Sequence, residues 1–379
     1  MTALSANMLA SVAASSVRGF ERFRVVRRIR ESQSVVSFEL VPVDGQRSLE
    51  FVAGQFVALR LTLPDGESLL RHYSLSGDPA DATHWRISVK LECAPPGLGS
   101  TYLHQSVGVG DEIELAGPAG AFVCSEDNER PVILLSGGVG VTPLVSMLHR
   151  LVRTSSRRVH FLHACENSSM HAFSDEVRAL AATRSGIEVQ VCYRNPLACD
   201  EEHGTYDSKG LLTRELLQSL LPLDDYEVYL CGPPAFMKAN WRLLRELGIA
   251  RERIHYEFFG PATVLEDQTN DAVDGAVTLP IAPNGVASDT AVTVRFEPHA
   301  DPLPWNPACH SLLDMAEQAG YAPAFNCRAG LCNACMTPLL SGRVDYIEEP
   351  LVPPPDGELL LCCARPATSV TLAMQPLRT

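Results

Sequence analysis

PVILLSGGVGVTPLVSMLHRLV, residues 131–152, joins a continuous apolar run to a glycine-rich turn and a helix-like segment. An apolar run bounded by turn signals is typical of a buried strand. Gly137, Gly138 and Gly140 permit a tight turn, and Pro143 suits the first turn of the helix that we predict next. A helix that begins after such a turn can hold a phosphate group. Because the spacing is not G-x-G-x-x-G, a turn that serves only packing is the alternative.

The sequence on either side of this stretch has two different patterns. From about residue 130 to residue 261, apolar runs alternate with helix-like segments, which predicts a parallel α/β sheet. Before residue 125, short β-rich runs such as QFVALRLTL (55–63) and WRISVKLE (85–92) are separated by turn signals. Such runs predict an antiparallel barrel or sandwich. Residues 262–289 are acidic and rich in Asp, Ala and Pro, so we expect a linker there.

Composition narrows the class of protein. The 379 residues carry a formal net charge of −14 and are 46% hydrophobic, which predicts two or three globular domains. An acidic chain is a poor binder of nucleic acid or anionic membranes. No apolar run approaches the ~20 residues of a membrane span. Residues 1–17 lack the charged start of a secretory signal, so we expect a disordered tail and a cytoplasmic protein.

Three of the twelve cysteines lie in CRAGLCNACM, residues 327–336. Cys327, Cys332 and Cys335, followed by a distant cysteine, have the ligand spacing of a plant-type [2Fe–2S] cluster. The alternative is structural zinc, but zinc ribbons usually present two Cys-x2-Cys pairs and this chain has one asymmetric loop. The spacing leaves Cys362 and Cys363 equally suited to be the fourth ligand.

Residues 290–379 resemble a plant-type ferredoxin domain, through CRAGLCNAC and the returning strand LLLCCARP (359–366). In that family the closing cysteine precedes one variable residue, then Ala and often Arg-Pro. The resemblance therefore implies Cys362 as the fourth ligand and an α+β, β-grasp-like fold. Asn333 departs from the family, which often carries Gly or another small residue there.

RHYS (71–74), GLGSTYLH (97–104) and GPAGAF (117–122) together resemble the flavin domain of the ferredoxin–NADP reductase superfamily. The resemblance implies that Arg71 pairs with flavin phosphate, that Tyr73 lies against the flavin ring and that Ser74 bonds near N5. It also implies flavin contacts by His72, Gly99, Ser100 and Thr101. GPAGAF resembles the FAD-binding branch, so we expect FAD rather than FMN.

Residues 134–148 resemble the nicotinamide domain of the same superfamily, and YLCGPPAFM (229–237) strengthens that resemblance. The implied nucleotide contacts are Gly138, Gly140, Thr142, Pro143, Cys231, Gly232 and Pro233. HYEFFGP (255–261) resembles the closing strand of flavohemoglobin reductases, which implies that Phe259 meets the flavin. Glu257 either tunes the flavin electrostatically or is an ordinary strand-end carboxylate. The residues expected nearest the chemistry are Tyr73, Ser74, Cys231, Glu257 and Phe259.

Three smaller features have simpler interpretations. His163 and His171 do not have a recognised metal-ligand spacing, so we do not expect a metal there. The basic run FERFRVVRRIR (20–30) alternates apolar and basic residues, which favours a solvated strand face. Arg194 lies about where an adenosine ribose should bind, but a single arginine does not predict NADPH, and we expect NADH.

These resemblances imply an NAD(P)H-dependent oxidoreductase that passes electrons through FAD and a [2Fe–2S] cluster to a separate acceptor. We expect the acceptor to be the terminal component of a mono- or dioxygenase. One alternative acceptor is a haem protein of a nitric-oxide system, because no globin-length helical region precedes Arg18. A redox-sensing protein is another alternative. The expected divisions are a tail (1–17), a FAD-binding barrel (18–125), a nicotinamide domain (126–261), a linker (262–289) and a ferredoxin domain (290–379).

Overall fold

The computed structural model describes residues 17–44, 49–66, 68–125, 128–257, 259, 292–297, 301–319, 321, 323, 325, 330, 333, 335–347, 349–351 and 353–374. The chain forms two compact units, Met1–Pro261 and Ala262–Thr379. The expected linker, residues 1–16 of the expected tail, and the thiols of Cys327 and Cys332 lie outside the described residues. Within the described residues, no helix is both long enough and apolar enough to cross a membrane.

The first unit begins with six antiparallel strands. They are β1 (Val17–Arg30), β2 (Val35–Pro42), β3 (Phe56–Thr62), β4 (Ser68–Ser74), β5 (Trp85–Lys90) and β6 (Glu112–Ala119). Their order is β4-β3-β6-β1-β2-β5, and a bridge between Leu75 and Ile87 joins the two edges. A helix, α1 (Leu98–Ser106), follows β5. This is an antiparallel barrel, one of the two folds that the short β-rich runs predict.

Strand β1 shows why the barrel folds from this sequence. Phe23 and Val25 are fully buried, and Phe23 stacks on Trp85 with ring centroids 4.9 Å apart. Burying a large apolar side chain contributes about 1.5–3 kcal/mol. Arg22 and Arg24 alternate with them on the outer face and bond Glu112 at 3.2 and 2.9 Å. The basic run therefore forms a solvated strand face, and Arg22 and Arg24 on that face are paired with a carboxylate.

A parallel sheet follows in the same unit. Its strands are β7 (Val132–Gly137), β8 (Val159–Cys165), β9 (Ile187–Tyr193), β10 (Ser208–Lys209), β11 (Glu227–Cys231) and β12 (Ile254–Glu257), in the order β10-β9-β8-β7-β11-β12. The helices are α2 (Val141–Thr154), α3 (Ser174–Ala182), α4 (Ala198–His203), α5 (Arg214–Leu220) and α6 (Pro234–Glu246). The sequence patterns do not predict α4. The other helices match predicted segments, and the predicted parallel α/β fold is confirmed.

The described residues of the second unit form a mixed sheet with one helix. The elements are β13 (Thr293–Glu297), β14 (Leu303–Pro304), α7 (Leu312–Gln318), β15 (Met336–Ser341), β16 (Val344–Tyr346), β17 (Glu358–Leu360), β18 (Ala364–Pro366) and β19 (Val370–Ala373). The main sheet has the order β14-β13-β19-β15-β17, with β13 and β19 parallel. The Ser311 hydroxyl accepts a hydrogen bond from the Asp314 amide at 3.3 Å and so caps α7. This is the α+β arrangement that the ferredoxin resemblance implies.

One detail of LLLCCARP differs from the expectation. Leu361–Cys363 forms a 3-10 turn between β17 and β18, not part of a continuous strand. Successive side chains on such a turn are about 120° apart, because it has about three residues per turn. Cys362 and Cys363 therefore point in different directions.

Candidate functional site

A cleft of about 240 Å³ opens in the first unit, where β4 ends and α1 and α2 begin. Its walls come from β4, β5, the start of α1, the turn before α2 and position 259. The lining residues are Arg71, His72, Tyr73, Ser74, Ser88, Lys90, Glu92, Gly97, Gly99, Ser100, Val139, Thr142 and Phe259. The cleft therefore brings residues predicted to contact flavin together with Thr142 and Phe259 from the nicotinamide half.

Two side chains at the end of β4, Tyr73 and Ser74, are suited to bind a ligand with a polar ring system. Ser74 is 4% exposed, and its Oγ has no hydrogen-bond partner among the described residues. A buried hydroxyl without a partner costs about 1–3 kcal/mol, so a ligand atom that bonds it is stabilised there. Burial raises the pKa of Tyr73 to about 12, so its phenol stays protonated and can donate a hydrogen bond.

The part of the cleft beside Arg71, in the middle of β4, fits a phosphate. Arg71 is exposed and donates to the Leu70 carbonyl at 2.8 Å, and no carboxylate pairs with it in the described part of the chain. A Cβ at Gly99 would lie 3.1 Å from Arg71 Cγ, so glycine lets α1 begin close to this side chain. The Thr101 amide already bonds the Gly97 carbonyl at 2.8 Å. The amides of Gly99 and Ser100, which precede it in the first turn of α1, are among those that a helix start offers to an anion.

The glycine-rich turn after β7 touches the end of β11. A Cβ at Gly140 would lie 2.3 Å from the Cys231 carbonyl oxygen and 2.6 Å from the Gly232 nitrogen. A side chain at position 140 would force the two strand ends apart. Gly138 has φ +52°, in the left-handed region that glycine adopts without strain. Dinucleotides bind at the carboxyl ends of parallel strands, which is where these two turns meet.

Cys231 and Glu257 lie beneath this edge of the sheet. Cys231 is fully buried, and in the sheet register it is opposite Ser136 and Glu257. Burial raises the pKa of the Cys231 thiol well above its usual value, and the charge of Glu257 adds to the effect. Phe259 is 41% exposed and faces the cleft. Of the residues expected nearest the chemistry, only Tyr73, Ser74 and Phe259 line the cleft.

Several other predicted contacts do not line the cleft. They are Thr101, Gly138, Gly140, Pro143, Gly232 and Pro233. These residues lie in turns and helix starts, where their backbone sets how closely the surrounding elements approach.

The cysteine site in the second unit is partly described. The Gly330 amide donates to Cys362 Sγ at 3.3 Å, and the Cys362 amide donates to Cys335 Sγ at 3.4 Å. Both thiols are at most 3% exposed. The Cys363 thiol donates instead to the Leu360 carbonyl at 3.7 Å. Amides directed at sulfur stabilise thiolates, so the donor set around Cys335 and Cys362 fits an anionic cluster.

The backbone explains the unusual Asn333. Its φ is +54°, and that of Gly330 is +68°, so both lie in the left-handed region. Glycine adopts this conformation without strain, and asparagine is among the few other residues that visit it routinely. Asn333 therefore preserves a backbone conformation for which related loops use glycine.

His163 and His171 form a buried pair whose rings stack at 4.6 Å. His163 Nδ1 lies 2.8 Å from the Ser136 hydroxyl, and His171 Nδ1 lies 2.9 Å from the Tyr193 hydroxyl. Burial lowers the pKa of both, to about 4 for His171, so they are neutral at pH 7. In the part of the chain that the structure describes, no three His, Cys, Asp or Glu side chains gather as metal ligands would.

Comparison with known proteins adds three family matches. Residues 22–124 match the oxidoreductase FAD-binding domain, residues 134–241 the oxidoreductase NAD-binding domain, and residues 304–367 the 2Fe-2S iron-sulfur cluster binding domain. The flavohemoglobin-like FAD/NAD binding domain of nitric oxide dioxygenase from Vibrio cholerae is 39% identical, with a TM-score of 0.58. The match covers 64% of this chain and 99% of that domain. The chain belongs to the ferredoxin–NADP reductase superfamily.

Other relatives match different portions of this chain. The flavohemoprotein of Bacillus cereus is 42% identical over 255 residues, which are 66% of this chain and 63% of that protein. The chain thus spans less than two thirds of the length of such curated relatives. Phthalate dioxygenase reductase matches 94% of this chain and 98% of its own at a TM-score of 0.55. At 22% identity that likeness shows the shared three-domain fold.

Membership of the ferredoxin–NADP reductase superfamily confirms three predictions. The cofactors are FAD, NAD(P)H and a [2Fe–2S] cluster, since each has its own matched domain. The protein is an NAD(P)H-dependent oxidoreductase. The three-domain fold class predicted from the patterns and resemblances is also confirmed.

Sequence reasoning missed part of the wall in this reductase. Ser88 and Lys90 of β5 line the cleft, as does Glu92, which bonds Lys90 at 3.0 Å. Ser88 and Lys90 are two residues apart and share a strand face. Alternation along WRISVKLE could have identified that face, but only the closure of the barrel brings it beside Ser74.

Proposed function

We propose that this chain is the reductase component of a two-component oxygenase. One NAD(P)H gives two electrons and releases NAD(P)+ and a proton. The two electrons pass one at a time to a separate terminal oxygenase. The observation that carries the proposal is the union of a shared flavin–nicotinamide cleft and a ferredoxin domain in one polypeptide. Phthalate dioxygenase reductase is described as a modular structure for electron transfer from pyridine nucleotides to [2Fe-2S], and this chain matches it over 94% of its length.

The cleft residues divide into a phosphate end and a ring end. Arg71 binds the flavin phosphates as a charge-assisted fork, supported by the amides of Gly99 and Ser100. Tyr73 packs against the flavin ring, and the unpartnered Ser74 hydroxyl bonds the ring edge. FAD held by these residues would supply the exchange between a two-electron donor, NAD(P)H, and one-electron acceptors. We propose His72 and Thr101 as additional flavin contacts.

The nucleotide residues hold NAD(P)H at the strand ends. Gly138, Gly140 and Thr142 admit the pyrophosphate to the start of α2, where Pro143 supports the first turn. Gly232 and Pro233 extend this edge. Phe259 covers the ring end of the cleft and must move aside or stack when nicotinamide enters. Cys231 and Glu257 act on the nucleotide site from beneath these strand ends. Cys231 contributes a buried neutral thiol, and Glu257 contributes a nearby carboxylate.

We propose Cys327, Cys332, Cys335 and Cys362 as the cluster ligands. Two hydrogen bonds from backbone amides to sulfur, Gly330 to Cys362 and Cys362 to Cys335, support this choice. The Cys363 thiol instead donates its proton to a backbone carbonyl. The proposed boundaries are 18–125 for the flavin domain, 126–261 for the nicotinamide domain and 290–379 for the ferredoxin domain, with the linker at 262–289.

The coenzyme that we infer is NADH. Glu166 follows β8, the strand next to β7, where an acidic residue accepts the ribose 2′-hydroxyl of NAD in doubly wound sheets. Its carboxylate lies 3.3 Å from Arg194 Nη1 and accepts from Asn195 Nδ2 at 2.8 Å. Arg194 is therefore paired with a carboxylate, which would repel a 2′-phosphate.

The experiment is reconstitution with purified components. With NADH, oxygen and a candidate terminal oxygenase, the chain should couple NADH oxidation to oxygenated product, and omission of the chain should abolish it. The flavohemoprotein relatives favour a second candidate acceptor, a separate haem protein. If the chain reduces a globin rapidly and no oxygenase at all, the haem-protein function replaces the oxygenase one.

A further inference from the structure

A cluster of charged side chains joins the barrel to the nicotinamide half within the first unit. Arg86 of β5 forms a fork with Glu176 of α3, with Nη2–Oε1 at 2.8 Å and Nη1–Oε2 at 2.9 Å. His149 Nε2 of α2 lies 2.6 Å from the same Oε1. We name Arg86, Glu176 and His149 the clasp.

The clasp lies on the elements that build the cleft. Arg86 is two residues from Ser88 on β5, and its Nη2 also donates to the Ser76 carbonyl, two residues after Ser74. His149 lies on α2, the helix that begins beside the cleft residue Thr142. The clasp therefore connects the flavin wall and the nicotinamide wall at their far ends.

Two features of the clasp have a cost in free energy, which indicates that the clasp does more than stabilise the fold. Arg86 is 12% exposed, and its Nε is buried without a hydrogen-bond partner among the described residues. Buried ion pairs often stabilise less than apolar residues of the same shape. Phe173 has φ +64°, a strained backbone for this residue, and its ring centroid lies 5.0 Å from the Arg86 guanidinium. Strain of this kind concentrates at functional sites.

We propose that Arg86 and Glu176 are positioning residues that set the separation of the two cleft walls and thereby the rate of hydride transfer from nicotinamide to flavin. The proposal rests on the proposed function only for the identity of the two reacting rings. A bidentate fork fixes both distance and angle between its elements, which a single surface contact does not. Misplacement of reacting groups by about 1 Å can cost about a hundredfold in rate.

The test compares holoprotein variants by stopped-flow absorbance at 20 °C. Glu176→Gln should keep its flavin content and its KM for NADH, while flavin reduction at saturating NADH slows by at least about tenfold. The long-wavelength absorbance of the stacked flavin–nicotinamide complex should fall in parallel. Arg86→Lys keeps the charge but loses the fork, so it should be intermediate. Glu112→Gln, which breaks a surface pair within the barrel, is the matched control and should resemble wild type.

The outcomes separate positioning from stability. A lower melting temperature with an unchanged reduction rate and unchanged stacking absorbance would overturn the proposal. So would a raised KM with the same maximal rate. If Glu176→Gln does not fold, Arg86→Lys decides by the same two readouts. Flavin reduction precedes the acceptor, so failure to reduce any oxygenase tests the proposed function and leaves this result standing.

Discussion

The flavin cleft draws its wall from positions between Arg71 and Phe259, on separate strands, helix starts and turns. The cluster site instead draws three of its four proposed thiols from one short sequence segment, residues 327–335. A site assembled from distant elements depends on how those elements are held, and each side chain contributes a part. A site made by one short segment is lost when any one of its ligands is removed. Substitutions should therefore have graded effects in the cleft and all-or-none effects in the cluster site.

The largest expected effect is loss of the cluster. Cys362→Ser should purify without the [2Fe–2S] absorption, and it should reduce ferricyanide but not cytochrome c, since the second acceptor needs the cluster. Cys363→Ser is the matched control and should retain iron and labile sulfide, because its thiol bonds the Leu360 carbonyl. Iron and sulfide analysis measures both. The reverse pattern would transfer the ligand role to Cys363.

The next effect is the pH dependence of the clasp. Burial would raise the pKa of Glu176, but hydrogen bonds from His149 and Arg86 outweigh it and lower the pKa to about 2 from 4.5. A folded pKa below the unfolded one stabilises above pH 4.5, and the contribution is lost as the pH falls from 4.5 towards 2. A lowering of this size corresponds to at most about 3 kcal/mol.

Urea unfolding of wild type and Glu176→Gln measures this contribution. The difference in free energy of unfolding should shrink by about 1.4 kcal/mol for each pH unit below about 4.5. Burial and the charge of Glu176 both raise the pKa of the Glu31 carboxyl, so Glu31 would titrate differently in the two proteins, and they are therefore compared in a Glu31→Gln background. A difference that does not change with pH would mean that the Glu176 carboxylate is not held by its partners.

The contrast between the two sites also explains what could be predicted from sequence. Gly140 and Cys335 belong to short motifs whose chemistry depends on local spacing, so both were predictable. Ser88 and the clasp residue Arg86 lie on β5, and only the closure of the barrel and the docking of α3 give them neighbours. Cys231 was predicted by resemblance to lie beside nicotinamide, but its complete burial follows from the flanking strands β7 and β12.

A smaller, graded effect is expected at the phosphate end of the cleft. Arg71→Ala should weaken flavin binding by about 1.5–3 kcal/mol, or about 10- to 150-fold in the dissociation constant, because a charge-assisted contact is lost. The cluster absorption should stay unchanged. Arg24→Ala removes an arginine of β1 that is paired with Glu112 and serves as the control. Flavin titration of the apoprotein measures both. Normal flavin affinity in Arg71→Ala would remove this arginine from the phosphate site.

The smallest expected effect concerns coenzyme choice. Glu166→Gln keeps the shape of the side chain but removes its negative charge, so the preference for NADH over NADPH should fall by about five- to tenfold, or about 1 kcal/mol. The fragments 5′-AMP and 2′,5′-ADP separate binding from electron transfer, and calorimetry should show tighter 2′,5′-ADP binding with little change for 5′-AMP. Glu201→Gln is the matched control, since Glu201 pairs with Lys209 at 3.0 Å on the same half of the unit. If both variants bind 2′,5′-ADP as wild type does, the carboxylate beside Arg194 does not select the coenzyme. The selecting group must then lie elsewhere along the ends of β8 and β9.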